Sequence, residues 1–311
     1  MNTNFSCNFS HVDSIMNNVE LGIYIPTFIL GCILNIFALW IFFFSIKKWT
    51  EASIYLINLA ILDLFLLLSL PFKMYSSIQI EQIVDRHLCT FAEILYFANM
   101  YGSIYIITFI SLDRYIAIKH IFWAKRLRSP KKTTSICFFI WVFVWIVGGS
   151  IFKKEDNNRC FHKMSNKIWS PSIIICLELF GFLMPMIVIM GCSIQIVRKL
   201  GDHRGISEQD HGQKTTVRRI IISNLVVFLL SFLPSHLGIF LQFLVKQDII
   251  ANCSHKQSII LFLRLSLCLA NVNTCLDAAC YYFAVKEFRK MSVNSHSIIR
   301  RTMSLQQSRS E

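Results

Sequence analysis

Seven separate apolar runs, each long enough to cross a lipid bilayer, constrain this chain more than any other feature of its sequence. A hydrocarbon core about 30 Å thick requires about 20 mostly apolar residues per spanning helix. Stretches 22–46, 53–78, 88–118, 133–152, 170–198, 217–245 and 257–284 all meet that length. Backbone groups facing lipid must be satisfied within their own segment, so helices are expected. The runs that exceed the minimum predict tilt or projection beyond the bilayer. The expected fold is an all-α membrane protein, a seven-transmembrane helix bundle.

Composition agrees. Hydrophobic residues make up 54% of the 311 and charged residues only 16%, against about a quarter charged in soluble domains. The net charge of +13 does not point to nucleic acid, because the basic residues lie between apolar spans rather than along a groove-like stripe. The polar stretch 1–20 has no charged segment followed by an apolar one, so no cleavable signal peptide is expected. The first span then acts as its own anchor.

Charge also sets the expected orientation. Lys47 and Lys48 follow the first span. Lys119, Lys125, Arg126, Arg128, Lys131 and Lys132 follow the third, and Arg198, Lys199, Arg204, Lys214, Arg218 and Arg219 lie between the fifth and sixth. The tail adds Lys286, Arg289, Lys290, Arg300, Arg301 and Arg309, whereas the first 20 residues hold no Lys or Arg. The positive-inside bias places the N-terminus outside and the tail in the cytosol, at the plasma membrane. Asn4, Asn8 and Asn252 open Asn-x-Ser acceptor triplets for glycosylation, and all three fall on the outer side. Cys7, Cys89, Cys160 and Cys253 fall there too, where disulfides persist. The other cysteines sit in spans and read as small apolar filler.

Landmarks along about 20–291 then accumulate. Asn35 stands in the first span and Asp63, within Asn58-Leu-Ala-Ile-Leu-Asp63, in the second. Cys89 opens the third span and Asp113-Arg114-Tyr115 closes it. Trp141, Pro185 and Pro234 mark the fourth, fifth and sixth, and Asp277-Ala278-Ala279-Cys280-Tyr281 the seventh. In joint order and spacing these resemble the rhodopsin-like (class A) G-protein-coupled receptors. Ser69-Leu-Pro-Phe-Lys73, Ser231-Phe-Leu-Pro-Ser-His236, Leu241-Gln-Phe-Leu-Val245 and Cys275-Leu-Asp-Ala-Ala-Cys-Tyr-Tyr282 are similar to the branch holding the lysophosphatidylinositol receptor and its kynurenate-responsive relative. Two motifs depart from the family pattern: Phe232 stands where Trp is usual before Pro234, and Asp277-Ala278 replaces Asn-Pro, which removes a proline kink.

The resemblance implies an extracellular tail over 1–21, a bundle over 22–284, and an amphipathic eighth helix with a cytosolic tail over 285–311. It implies a coupling switch of Asp113, Arg114, Tyr115 and Tyr281, in which Arg114 pairs with Asp113 at rest and swings to a G protein. A static interfacial salt bridge is the alternative. Lys214, Arg218 and Arg219 read as an effector contact or as a cytosolic anchor of the sixth span. Asn35, Asp63, Ser103, Asn273 and Asp277 match a sodium pocket, where an allosteric sodium ion or protonation of one Asp relieves two buried carboxylates. No other cofactor is expected. Cys89–Cys160 and Cys7–Cys253 are the implied bridges.

The ligand set is Lys73, Glu93, Tyr96, Tyr101, His236 and Arg264. Lys73 meets an anionic head group or else pairs with Glu93 or Glu178, Arg264 is a second cation, and the aromatic residues pack or hydrogen-bond. The expected function is a receptor, not an enzyme, for an anionic lipid-like ligand such as a lysophospholipid. The expected partners are a Rho-linked heterotrimeric G protein and arrestin at the serine-rich tail. A receptor for a small aromatic or nucleotide-like acid stays open. A transporter would show repeated, Gly/Pro-broken spans, which the sequence lacks.

Overall fold

The computed structural model describes residues 7–44, 49–78, 85–152, 168–201 and 208–278. Among these residues there are seven helices long and apolar enough to cross a membrane, at Ser10–Phe44, Glu51–Ser77, His87–Lys119, Pro130–Ile151, Pro171–Leu200, Val217–Lys246 and Cys253–Ala278. No strand occurs among the described residues. The expected eighth helix and tail lie outside them.

Local chemistry sets the helix ends. The Asn8 side chain accepts the Ser10 N–H at 2.9 Å, and Asp13 places negative charge on the first turn, where the helix dipole favours it. The first helix therefore opens at Ser10, ahead of the span start expected at 22, and 10–21 of the expected tail are helical. Val12, Met16, Glu20 and Tyr24 are buried along this extension, one side chain per turn. Hydropathy alone missed it, because the extension is apolar along one stripe only. At the second helix, the Thr50 N–H donates to Ser53 and the Ser53 N–H to Thr50, which satisfies two donors the helix itself cannot. Asp85 accepts the His87 and Leu88 N–H groups ahead of the third. A seven-residue helix, Ile121–Leu127, forms in the loop after the third span, where none was expected.

The second and third helices form the centre. Of their apolar windows 67% and 61% are buried, against 22–28% in the other five. The outer helices instead present Trp40, Phe138, Phe139, Ile146 and Ile187 at the surface, as a lipid-solvated bundle requires. The Trp141 indole N–H donates to Asn58 at 2.9 Å and Phe65 meets the same ring edge-on, which locks the fourth helix to the second.

The fifth helix changes pitch over Leu177–Leu183, where it runs as a π-helix. In that register the N–H of residue 185 would serve the Phe180 carbonyl, but Pro185 has none. The Tyr105 hydroxyl of the third helix donates to that carbonyl instead, at 3.0 Å. The widened turn carries Glu178 and Phe182 into the bundle.

Candidate ligand site and switch region

At the end expected to face outward, Lys73 is only 8% exposed. Its ammonium lies 4.4 Å from the Tyr96 ring centroid and 5.1 Å from that of Tyr24. Aromatic faces stabilise a cation by about 2 kcal/mol when it is desolvated, so this geometry keeps Lys73 inside the bundle. Glu93 sits half-buried one turn before Tyr96 and Phe97 on the third helix.

Arg264, expected as a second cation of the ligand set, is held by the first helix. Its guanidinium donates to Glu20 at 2.7 Å, Asp13 at 2.9 Å and Asn17 at 3.0 Å. It therefore clamps the seventh helix to the extended first one. Ser77 of the second helix also donates to Glu20, so one buried carboxylate ties three helices. The bonded Sγ atoms of Cys7 and Cys253 and the Gln257 amide on the Asn8 carbonyl complete this clamp. Cys89 is disulfide-bonded, and its expected partner Cys160 lies outside the described residues, as do Asn4 and Tyr281. Asn8 and Asn252 are described, and each accepts the N–H of the serine in its own triplet.

Deeper in the bundle, His236 is 1% exposed. Its ring stacks on Phe182 at 4.2 Å and 7° and meets Tyr101 edge-on at 5.8 Å. Its Nδ1 lies 3.1 Å from Glu178 Oε2. Sequence reading weighed Glu178 only as a partner for Lys73, yet an ionisable residue inside an apolar span is itself the signal of a functional position. Glu178 Oε1 and His236 Nε2 of this pair, and separately Gln242 Oε1 and Asn271 Nδ2, are buried without a hydrogen-bond partner among the described residues. This half of the bundle thus holds a cation over two aromatic rings and buried polar atoms without a hydrogen-bond partner among the described residues. Phe232, in place of the usual tryptophan, is 3% exposed and packs on Phe228.

The expected sodium set divides. Asn99, which sequence reading missed, donates to Asp63 at 3.3 Å. Asn273 donates to Asp277 at 2.7 Å and accepts from Ser231 at 3.0 Å. Asn35 donates to the Thr274 carbonyl at 3.1 Å. Asn35 Oδ1 and Ser103 Oγ are buried without partners among the described residues. Carboxylate, hydroxyl and amide oxygens are the donor types that a hard cation takes.

At the opposite end, Asp113 engages a residue that sequence reading did not select. Arg128, just past the short loop helix, donates Nε to Asp113 Oδ1 at 2.7 Å and Nη2 to Oδ2 at 3.1 Å. Glu51 of the second helix takes a further contact from Arg128 at 3.3 Å. Beyond the expected pairing with Arg114, Asp113 is thus engaged by Arg128, whose planar fork matches both carboxylate oxygens. Burial lowers the Arg128 pKa, but the hydrogen bonds and charge of Asp113, and then Glu51, outweigh it and hold it above the usual guanidinium value. Tyr115 and Lys119 both donate to Gln195 of the fifth helix. Nothing in the sequence singled out Arg128, which reads as one basic loop residue among several.

Seven packed spans, with buried polar side chains between them at one end and an Asp-Arg-Tyr triplet at the other, define a seven-transmembrane receptor. The chain belongs to the 7 transmembrane receptor (rhodopsin family), whose sequence pattern matches residues 34–281. It is 46% identical over 308 residues to G-protein coupled receptor 55 of Mus musculus, covering 94% of this chain and 93% of that one. It is 33% identical to G-protein coupled receptor 35 of Homo sapiens, covering 88% and 87%. It is also 31% identical to lysophosphatidic acid receptor 4 of Homo sapiens, covering 91% and 79%. Proteins of this family are receptors rather than enzymes, and they act through heterotrimeric G proteins.

Proposed function

We propose that this chain is a plasma-membrane receptor for an anionic lysophospholipid, such as lysophosphatidylinositol, and that it activates a Rho-linked heterotrimeric G protein. The observation that carries the reading is the buried ammonium of Lys73 on two aromatic faces, a setting in which a phosphate gains a charge-assisted hydrogen bond. Similarity to a lysophosphatidic acid receptor supports a lipid-like ligand. The uncommitted polar atoms of Glu178, His236 and Gln242 favour a head group that also carries hydroxyls. In this reading the N-terminus is extracellular, Asn4, Asn8 and Asn252 carry glycans, a sodium ion binds at Asp63 and Ser103 in the resting state, and arrestin engages the tail.

A small aromatic acid is the second reading, favoured by the stacked faces of Phe182 and His236. Acyl-chain dependence separates the two. Purified receptor and G protein are assayed for nucleotide exchange with lysophosphatidylinositol, a short-chain analogue and a tryptophan-derived acid, in wild type and Lys73→Ala. Loss of one charge-assisted hydrogen bond raises the half-maximal concentration about ten- to hundredfold. Unchanged potency in the variant overturns the head-group assignment. Absence of exchange with every anion tested overturns the ligand class.

A further inference from the structure

At the Lys73 end the first, second and seventh helices meet in two layers, one helical turn apart. In the outer layer the Arg264 guanidinium of the seventh helix and the Ser77 hydroxyl of the second both donate to Glu20 of the first, at 2.7 and 3.3 Å. Four residues along each helix lies the inner layer: Tyr24 on the first, Cys268 on the seventh and Lys73 on the second. Residues four apart share a helix face, one above the other, so each inner side chain stands on the turn next to the one that the outer layer fixes. The inner three also meet. The Cys268 thiol donates to the Tyr24 hydroxyl at 3.5 Å, and the Lys73 ammonium lies 5.1 Å from the Tyr24 ring centroid. Tyr24 and Cys268 are both 0% exposed, and close packing leaves a buried ring little room to turn. The Tyr24 face is thereby fixed by the first and seventh helices, whereas the other ring over the ammonium, Tyr96, belongs to the third.

We propose that Tyr24 is a positioning residue for the Lys73 ammonium, kept in register by the outer layer of Glu20, Arg264 and Ser77. A lysine on an outer turn of a span tends to snorkel toward the interface, and the ring face draws the ammonium inward against that tendency. The outer layer acts through the ring. It fixes the first helix against the second and the seventh, and with it the height of the face over which the cation stands. The positioning is a property of the unliganded receptor. Its consequence for potency deepens the head-group reading of Lys73 and rests on that reading.

Isotope-labelled methyl groups added to the lysines of the full-length receptor keep their charge and report position, because a methyl over an aromatic face resonates upfield. The Lys73 signal is assigned by its absence in Lys73→Arg and followed without ligand. Tyr24→Leu moves it downfield, while Tyr24→Phe, which keeps the face and drops the hydroxyl, retains most of the upfield shift. Glu20→Leu combined with Arg264→Leu also moves it, and adds no further movement once Tyr24 is Leu. Nucleotide exchange with lysophosphatidylinositol reads the consequence. Tyr24→Leu raises the half-maximal concentration about two- to thirtyfold, the range of a cation–aromatic contact, but by less than about twofold when Lys73 is already Ala. A purely structural role would weaken the response equally in both backgrounds and leave the lysine signal in place. An unmoved signal in Tyr24→Leu, or an outer-layer pair that still moves it when Tyr24 is Leu, overturns the proposal. A moved signal with unchanged potency in Lys73→Ala sustains the positioning and overturns the head-group reading instead.

Discussion

Lys73 and Arg264 are cations at the same end of the bundle, set among different neighbours. The Lys73 ammonium lies over the Tyr24 and Tyr96 rings, the setting on which the proposed head-group contact rests. Acids and an amide already hold Arg264, so a ligand would have to displace them. Gly181 shows a different constraint at the same scale. A Cβ built there would lie 2.5 Å from the Tyr101 ring, and that ring is backed by Phe97 at 4.5 Å. Gly181→Ala therefore forces either the ring or the π-turn to move, at about 1–3 kcal/mol for overpacking. Thermal denaturation of the purified receptor should show the loss, and a smaller side chain at position 101, as in Tyr101→Leu, should make the two changes less than additive. Full additivity would mean that the contact carries no strain.

The first helix gains its function from its length. Because it opens at Ser10, it brings Asp13, Asn17 and Glu20 against the seventh helix, and Arg264 binds all three. Removing one partner of a buried ion pair costs about 3–5 kcal/mol, whereas replacing the pair with apolar residues is close to neutral. Arg264→Leu should therefore lower the melting temperature substantially, and Arg264→Leu combined with Glu20→Leu should recover part of it. No recovery in the double variant would place the cost in the exposed Asp13 contact or in ligand binding. This arrangement was half legible in the sequence. Arg264 was visible as a costly cation within a span, but its partners lie 244 to 251 positions away in the chain, and no local pattern encodes that distance. The π-turn was equally hidden. Pro185 announces a missing N–H, but only the Tyr105 hydroxyl on another helix decides how the backbone compensates.

For the whole molecule, polar side chains in the middle of the bundle link neighbouring helices. Asn99 reaches Asp63 from the third helix, and Ser231 reaches Asn273 and thereby Asp277 from the sixth. If sodium occupies this layer at rest, exchanging sodium for choline should raise agonist affinity and basal nucleotide exchange in wild type. Asp63→Asn removes a charged ligand and should make both indifferent to the substitution. Radioligand binding and exchange in the two salts decide it, and a sodium effect that survives in Asp63→Asn would place the ion elsewhere.

The number and lengths of the apolar runs determined the membrane bundle without any structure, because bilayer thickness is fixed and lipid offers the backbone no partner. The landmark residues Asn35, Asp63, Asp113, Trp141 and Pro234 were legible for the same reason: a polar or helix-breaking residue is expensive in lipid and stands out against an apolar background. What only the tertiary structure decided is which side chain satisfies which. Arg128 meets Asp113 with both arms of its fork, Glu178 meets His236, and the acids of the first helix hold Arg264. Hydrophobicity acts residue by residue and can be read along a chain. Hydrogen bonds and ion pairs depend on distance and angle between helices, and those exist only after the bundle has packed.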